Sequence, residues 1–146
     1  MKKVIATPDA PKAVGPYSQA IEVNGTLYIS GQIPVNPADG KVQEDIVAAA
    51  HQSLKNIGAI LKEAGMTYDN VVKTTVLLAD IADFKAVNEV YAEYFTGSNL
   101  SCKYEFLQLL QRHIIETFFL VQRTHCLHVL IIELKIEDGD FFLNPY

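Results

Sequence analysis

The sequence has no tryptophan, only two cysteines (Cys102 and Cys126) and only two arginines (Arg112 and Arg123) among its 146 residues. Two cysteines cannot build a disulfide framework, which points to a reducing compartment. Met1-Lys2-Lys3-Val4-Ile5-Ala6 runs straight into Pro8 and Asp9, so no signal-peptide core is expected, and the protein is expected to be cytoplasmic. No apolar run approaches the ~18–20 residues needed to span a bilayer, so no integral membrane protein is expected. Positive charge is also short. Twelve Lys and Arg face seventeen Asp and Glu, a net charge of −5. No nucleic-acid partner is therefore expected, although a local basic pocket stays open. Gly-x-Gly-x-x-Gly, a phosphate loop and His-Glu-x-x-His are all missing. Ser30-Gly31 is no nucleophile elbow, which needs a glycine two residues before the serine and a helix after it.

What is present is ordinary globular composition, 49% hydrophobic and 20% charged, at a length suited to one domain. The composition nevertheless changes at Gly97. Residues 1–97 contain fourteen alanines, seven of the eight glycines and five of the six prolines. Residues 98–146 contain no alanine, yet hold both cysteines, both arginines, three of the four histidines and five of the seven phenylalanines. Either a second group of elements with other packing needs begins here, or the tail has a separate history, such as a change of reading frame.

Asn24-Gly25 lies between the alternating runs Tyr17–Val23 and Thr26–Ser30 and predicts a hairpin with a type I′ turn. Ile21 and Val23 would share one face, Leu27 and Ile29 another. The proline-rich stretch Pro34–Gly40 reads as a loop. Ile46, Ala50, Leu54, Ile57, Leu61 and Ala64 trace one face of a helix over Asp45–Ala64, with Gly65 as its left-handed cap. Asn70–Ala79, rich in β-branched residues, reads as a buried strand. Asp80 or Asp83 caps a second helix, with Phe84, Val87, Tyr91 and Tyr94 or Phe95 inward and Gly97 at its end. In the tail, 116–122 is ambiguous and Leu127–Ile136 is strand-prone. The order of elements predicts an α+β sheet with two helices on one face.

Spacing alone yields no reaction. Ser30-Gly31-Gln32 reads as a strand end with a glycine bend, Gly15-Pro16-Tyr17-Ser18 as a turn, and Asn88 as a solvent-facing amide. His125-Cys126-x-His128 with Cys102 and His113 lacks a zinc half-site. His125 and Cys126 would also point to opposite faces of a strand, so no metal is expected.

Gly15-Pro16-Tyr17-Ser18-Gln19-Ala20, Ile29-Ser30-Gly31-Gln32-Ile33-Pro34, Val72-Lys73-Thr74-Thr75-Val76 and Phe84–Tyr91 occur in one order at fixed intervals. Together they resemble the RidA (YjgF-like) family of reactive-intermediate enamine/imine deaminases, over residues 1–97. The resemblance implies a chorismate-mutase-like α+β fold, a homotrimer with sites in the clefts between subunits, and a small imino- or enamine-acid substrate. It implies hydrolysis to a 2-oxo acid and ammonia, with no cofactor and no metal. It assigns Tyr17 to the pocket wall with its hydroxyl near the imine, Ser30 and Gly31 to the substrate-binding floor, and Asn88 to an orienting role; Tyr17 and Asn88 are the catalytic candidates.

The same family carries Pro-Ala-Arg after the second helix, its arginine forking onto the substrate carboxylate, and later a Glu-Ile-Glu strand whose glutamate places the water. Here Gly97 is followed by Ser98-Asn99-Leu100-Ser101-Cys102-Lys103, and Pro-Ala-Arg is absent throughout. Motif loss and composition change share one boundary. The chain thus divides into a RidA-like core, 1–97, and a divergent segment, 98–146. Lys103, Arg112 or Arg123 are candidates to replace the arginine, and Glu133 or Glu137 the glutamate, against a plain reading as surface charge. Three functions follow: an imine deaminase impaired by the loss, an inactive trimeric metabolite-binding or regulatory protein, and a product whose tail is read out of frame.

Overall fold

The structure, a computed structural model, describes residues 1–96, 101–106 and 134–137. Six strands and two helices follow in chain order: β1 (Lys3–Ile5), β2 (Ala20–Val23), β3 (Thr26–Ile29), α1 (Ile46–Glu63), β4 (Val71–Leu78), α2 (Phe84–Tyr94), β5 (Ser101–Phe106) and β6 (Leu134–Glu137). The strands form one sheet in the order β1-β2-β3-β6-β4-β5. Its pairings are antiparallel except for β4 with β5.

The β2–β3 hairpin turns where the sequence predicts. Asn24 and Gly25 have φ of 51° and 72°, the paired positive values of a type I′ turn. β2 is shorter than the Tyr17–Val23 run. Tyr17, Ser18 and Gln19 instead form a loop: the Tyr17 N–H turns back to the Gly15 carbonyl and the Ser18 carbonyl accepts from the Ser30 side chain, while only the Gln19 carbonyl accepts from a main-chain N–H across the hairpin, that of Ser30.

Asp45 caps α1 by accepting from the Ala48 N–H at 2.9 Å, which satisfies a donor with no partner inside the helix. Gly65, at φ 75°, carries the chain away from the other end. The buried stripe of α1 is broader than the predicted one, adding Ala49, Ser53, Asn56 and Ile60. Two of these are polar. Asn56 Nδ2 donates to the carbonyls of Ile33 and Val35 at 3.1 and 3.0 Å, holding the proline-rich loop on the helix.

Asp80 caps a short 3₁₀ turn over Ile81–Asp83, accepting from the Ala82 N–H. α2 starts directly after it. Its buried face is Val87, Val90 and Tyr91. Phe84, expected inward, is 39% exposed; it is the first residue of the helix, directly after the 3₁₀ turn. The helix ends at Tyr94, before Gly97, which lies outside the described residues.

One apolar cluster joins both helices to one face of the sheet. Ile5, Ala20, Leu27, Ile29, Val71, Val76 and Leu78 meet Leu54, Ile57, Ile60 and Leu61 of α1 and Val87, Val90 and Tyr91 of α2. The other face leaves Val4 and Tyr28 exposed, with Val4 opposite Ile21 and Ile21 opposite Tyr28.

β5 and β6 come from the divergent segment. β6 overlaps the end of the strand-prone Leu127–Ile136 run and lies between β3 and β4. β5 was not legible in the sequence. The 116–122 run, and Arg112, His113, Arg123, His125, Cys126, His128 and Glu133, lie outside the described residues.

Candidate active site

Tyr17 sits in the loop before β2 and is held at three points. Its N–H donates to the Gly15 carbonyl at 2.9 Å. Its hydroxyl accepts from the Val14 N–H at 3.1 Å. Its ring lies over Gly15, where a Cβ would stand 3.6 Å from two ring carbons. Gly15 has φ 127°, a conformation that an L side chain resists, so the turn needs glycine there. The phenol is 53% exposed. With Val14 donating to its oxygen, the phenolic proton can serve a further acceptor.

Ser30, at the end of β3, is tied to the same loop. Its Oγ donates to the Ser18 carbonyl at 2.7 Å and its N–H donates to the Gln19 carbonyl at 3.0 Å. The hydroxyl proton is thus engaged in bracing the loop, and Ser30 is not set up as a nucleophile. Exposed Gly31 follows. Buried Gln32 returns its Nε2 to the Ser30 carbonyl at 2.9 Å. The structure therefore brings together Tyr17, Ser30 and Gly31 on two adjoining loops. Asn88 is carried by a different element. It is exposed on α2, next to buried Val87.

Sequence reasoning quoted Gln19 and Gln32 but gave them no role. Both are buried in the structure, each 5% exposed, which spacing alone does not reveal. A buried amide of this kind is there to satisfy backbone groups. Among the described residues, no group of three His, Cys, Asp or Glu side chains is placed to hold a metal ion. No described helix is long and apolar enough to cross a membrane.

A sheet with two helices on one face, and a pair of braced loops at one end of its central hairpin, defines an α+β protein of chorismate-mutase-like architecture. The chain belongs to the family described as Endoribonuclease L-PSP, matching it over residues 7–116; this is the RidA (YjgF-like) family of the sequence motifs. It is similar to a mouse (Mus musculus) protein named 2-iminobutanoate/2-iminopropanoate deaminase, at 57% identity over 99 residues, covering 67% of this chain and 73% of that one. Among solved structures it resembles a conserved Rid-family protein of unknown function from Yersinia pestis, with a TM-score of 0.77 and 38% identity, covering 94% of this chain and 100% of that one. TdcF of E. coli, solved with bound serine, gives a TM-score of 0.77 at 31% identity, covering 94% and 99% of the two chains.

Proposed function

We propose that the protein is a hydrolytic deaminase of short-lived 2-imino and enamine acids, such as 2-aminoacrylate and 2-iminobutanoate, impaired by the loss of the family arginine. The observation that carries the reading is the 57% identity to a protein named for that activity. The serine bound to TdcF supports a ligand with an α-carboxylate and a neighbouring nitrogen.

The chemistry asks little of the protein. An iminium carbon is already electrophilic, so the main tasks are to hold the carboxylate and to aim a water. Water adds to the carbon of the C=N bond, and the resulting carbinolamine expels ammonia and leaves the 2-oxo acid. No cofactor is needed for this balance. In this reading Tyr17 forms the wall of the pocket, with its phenolic proton toward the imine nitrogen. Ser30 and Gly31 form the floor, and Asn88 orients the substrate from α2. The three-point anchoring of Tyr17 and the Ser30–Ser18 bond support a preformed wall and floor.

The assembly in this reading is a cytoplasmic homotrimer with its clefts between subunits. The apolar side chains on the open face of the sheet, Val4 and Tyr28, support burial of that face against other copies. The division at Gly97 belongs to the same proposal, with 98–146 a divergent segment that lacks the arginine clamp.

A second reading rests on the missing Pro-Ala-Arg: a trimer that binds small carboxylic or oxo acids without turning them over. An arginine fork on a carboxylate supplies charge-assisted hydrogen bonds of about 1.5–3 kcal/mol each. Its loss should lower catalytic efficiency by about 10²–10⁴. The test is ammonia release from 2-iminobutanoate generated by a dehydratase, for wild type, Lys103→Ala, Arg112→Ala and Arg123→Ala. Slow wild-type turnover that Tyr17→Phe slows further supports the impaired deaminase; binding without any turnover supports the second reading. Robust turnover abolished by one of the tail substitutions overturns the impairment and identifies the substitute clamp. Translating the other two frames of the gene past Gly97 tests the frame change, which recovery of Pro-Ala-Arg would establish.

A further inference from the structure

We propose that Gln19 is the positioning residue of the candidate pocket, locking the segment from Thr7 to Pro11 so that the Val14 N–H three residues further on fixes the Tyr17 ring. The proposal rests on the reading of Tyr17 as the pocket wall.

Gln19 is 5% exposed, and its amide makes four hydrogen bonds to the backbone of one segment. Oε1 accepts from the Thr7 N–H at 2.7 Å. Nε2 donates to the carbonyls of Thr7, Ala10 and Pro11 at 3.0, 3.1 and 2.8 Å. The pair of bonds to Thr7 copies the exchange between two residues of an antiparallel ladder, although the segment itself is irregular. Irregular backbone that is buried must find partners from side chains. Ala10 is 1% exposed and Thr7 8%, so this segment is such a case.

Only a primary amide meets the demand. It offers one acceptor and a nitrogen with two N–H groups in a single plane, one of them shared between two of the three carbonyls. A carboxylate would set negative charge against three carbonyls, and a thioether would leave Thr7, Ala10 and Pro11 without these bonds.

The lock reaches the pocket from two sides. Downstream of Pro11, the chain continues to Val14, whose N–H holds the Tyr17 hydroxyl at 3.1 Å. The main chain of Gln19 itself accepts from the Ser30 N–H at 3.0 Å. Tyr17 thus takes its place by way of Val14 from the buried Gln19 amide, and the main-chain carbonyl of the same residue holds Ser30.

The experiment labels the seven tyrosines with 3-fluorotyrosine, assigns the Tyr17 ¹⁹F line by its loss in Tyr17→Phe, and titrates 2-oxobutanoate into wild type and Gln19→Met. The expected result is a wild-type Tyr17 line that moves on titration. In Gln19→Met that line is displaced and broadened before any ligand is added, and affinity falls about ten-fold, the scale of one well-aligned polar contact. If the wild-type line responds to 2-oxobutanoate but Gln19→Met leaves both line and affinity unchanged, the positioning role is overturned while the pocket reading stands. If Gln19→Met displaces the line but 2-oxobutanoate binds without moving it in wild type, the pocket reading of Tyr17 falls while the Gln19–Tyr17 link stands. Should Gln19→Met fail to fold, Val14→Pro removes the final N–H at an exposed position, while also fixing the backbone φ there. An unmoved Tyr17 line in that variant overturns the route.

Discussion

The hydroxyls of Thr74 and Tyr91 meet at 2.5 Å and join β4 to α2 inside the core. Thr74 is fully buried, and Tyr91 is 7% exposed, so the two polar atoms depend on protein partners in place of water. The pair ties α2 to the sheet one turn after Asn88.

Tyr91→Phe should therefore cost about 1–2 kcal/mol, because the Thr74 hydroxyl stays buried after losing this partner. Thr74→Val in the Tyr91→Phe background should restore part of that loss. Urea unfolding of the two single variants and the double variant checks this through their coupling. An additive cycle would mean that the two hydroxyls do not act as a pair.

At the hairpin, Gly25→Val should destabilise the fold by about 1 kcal/mol or more, since a β-branched residue resists the positive φ that the type I′ turn imposes. Gly25→Asn should cost less, as asparagine tolerates that region. Thermal melts of the two variants give the order directly.

Burial pushes the Tyr68 phenol well above its usual range, and the neighbouring Tyr94 adds to the rise, against a smaller lowering by a backbone hydrogen bond at Gly58. The hydroxyl donates to the Leu54 carbonyl at 2.7 Å, which only the neutral form can do. A phenol whose folded pKa is raised stabilises fully below the unfolded value of about 10. That contribution is lost as pH rises from there through the folded value. Tyr94, raised by burial and then by Glu93, acts in the same sense. The stability advantage of wild type over Tyr68→Phe should therefore be constant at neutral pH and shrink above pH ~10. Denaturant titrations at a series of alkaline pH values measure it. An advantage that grew with pH would contradict the burial of a neutral phenol.

Light scattering at tens of micromolar should return three times the 16.2 kDa of one chain. Val4→Glu and Tyr28→Glu, placed on the open sheet face, should shift that mass toward one chain by introducing charge where copies would meet. A mass of one chain for wild type would contradict the trimer.

Legibility differed from element to element for physical reasons. α1 could be read because its apolar spacing and its Asp45 and Gly65 ends agree, and the Asn24-Gly25 turn because positive φ selects those residues. β1 was too short for an alternating pattern to emerge from Lys3–Ile5. β5 was hidden because Ser101-Cys102-Lys103-Tyr104-Glu105-Phe106 mixes polar and apolar residues beside a parallel neighbour, with no hairpin turn to announce it. Within the site, Tyr17 and Ser30 were legible through family motifs only. What holds them is a set of bonds to Val14, Gly15, Ser18, Gln19 and Gln32, and no spacing rule finds such a bond before the loops are seen to cross.

The central place of β6 has a consequence for how the protein forms. The strand pairs on one side with β3 and on the other with β4, so it is the seam between a β1-β2-β3 half and a β4-β5 half. Each half can zip locally, but the seam joins segments far apart in the chain, the kind of closure that is slow because the entropy of bringing them together is lost before their contacts form. Until Leu134–Glu137 docks, both halves present unpaired edges, which are templates for pairing with other chains. A change in the tail thus acts at the middle of the sheet, and its first symptom should be slower maturation and aggregation during synthesis.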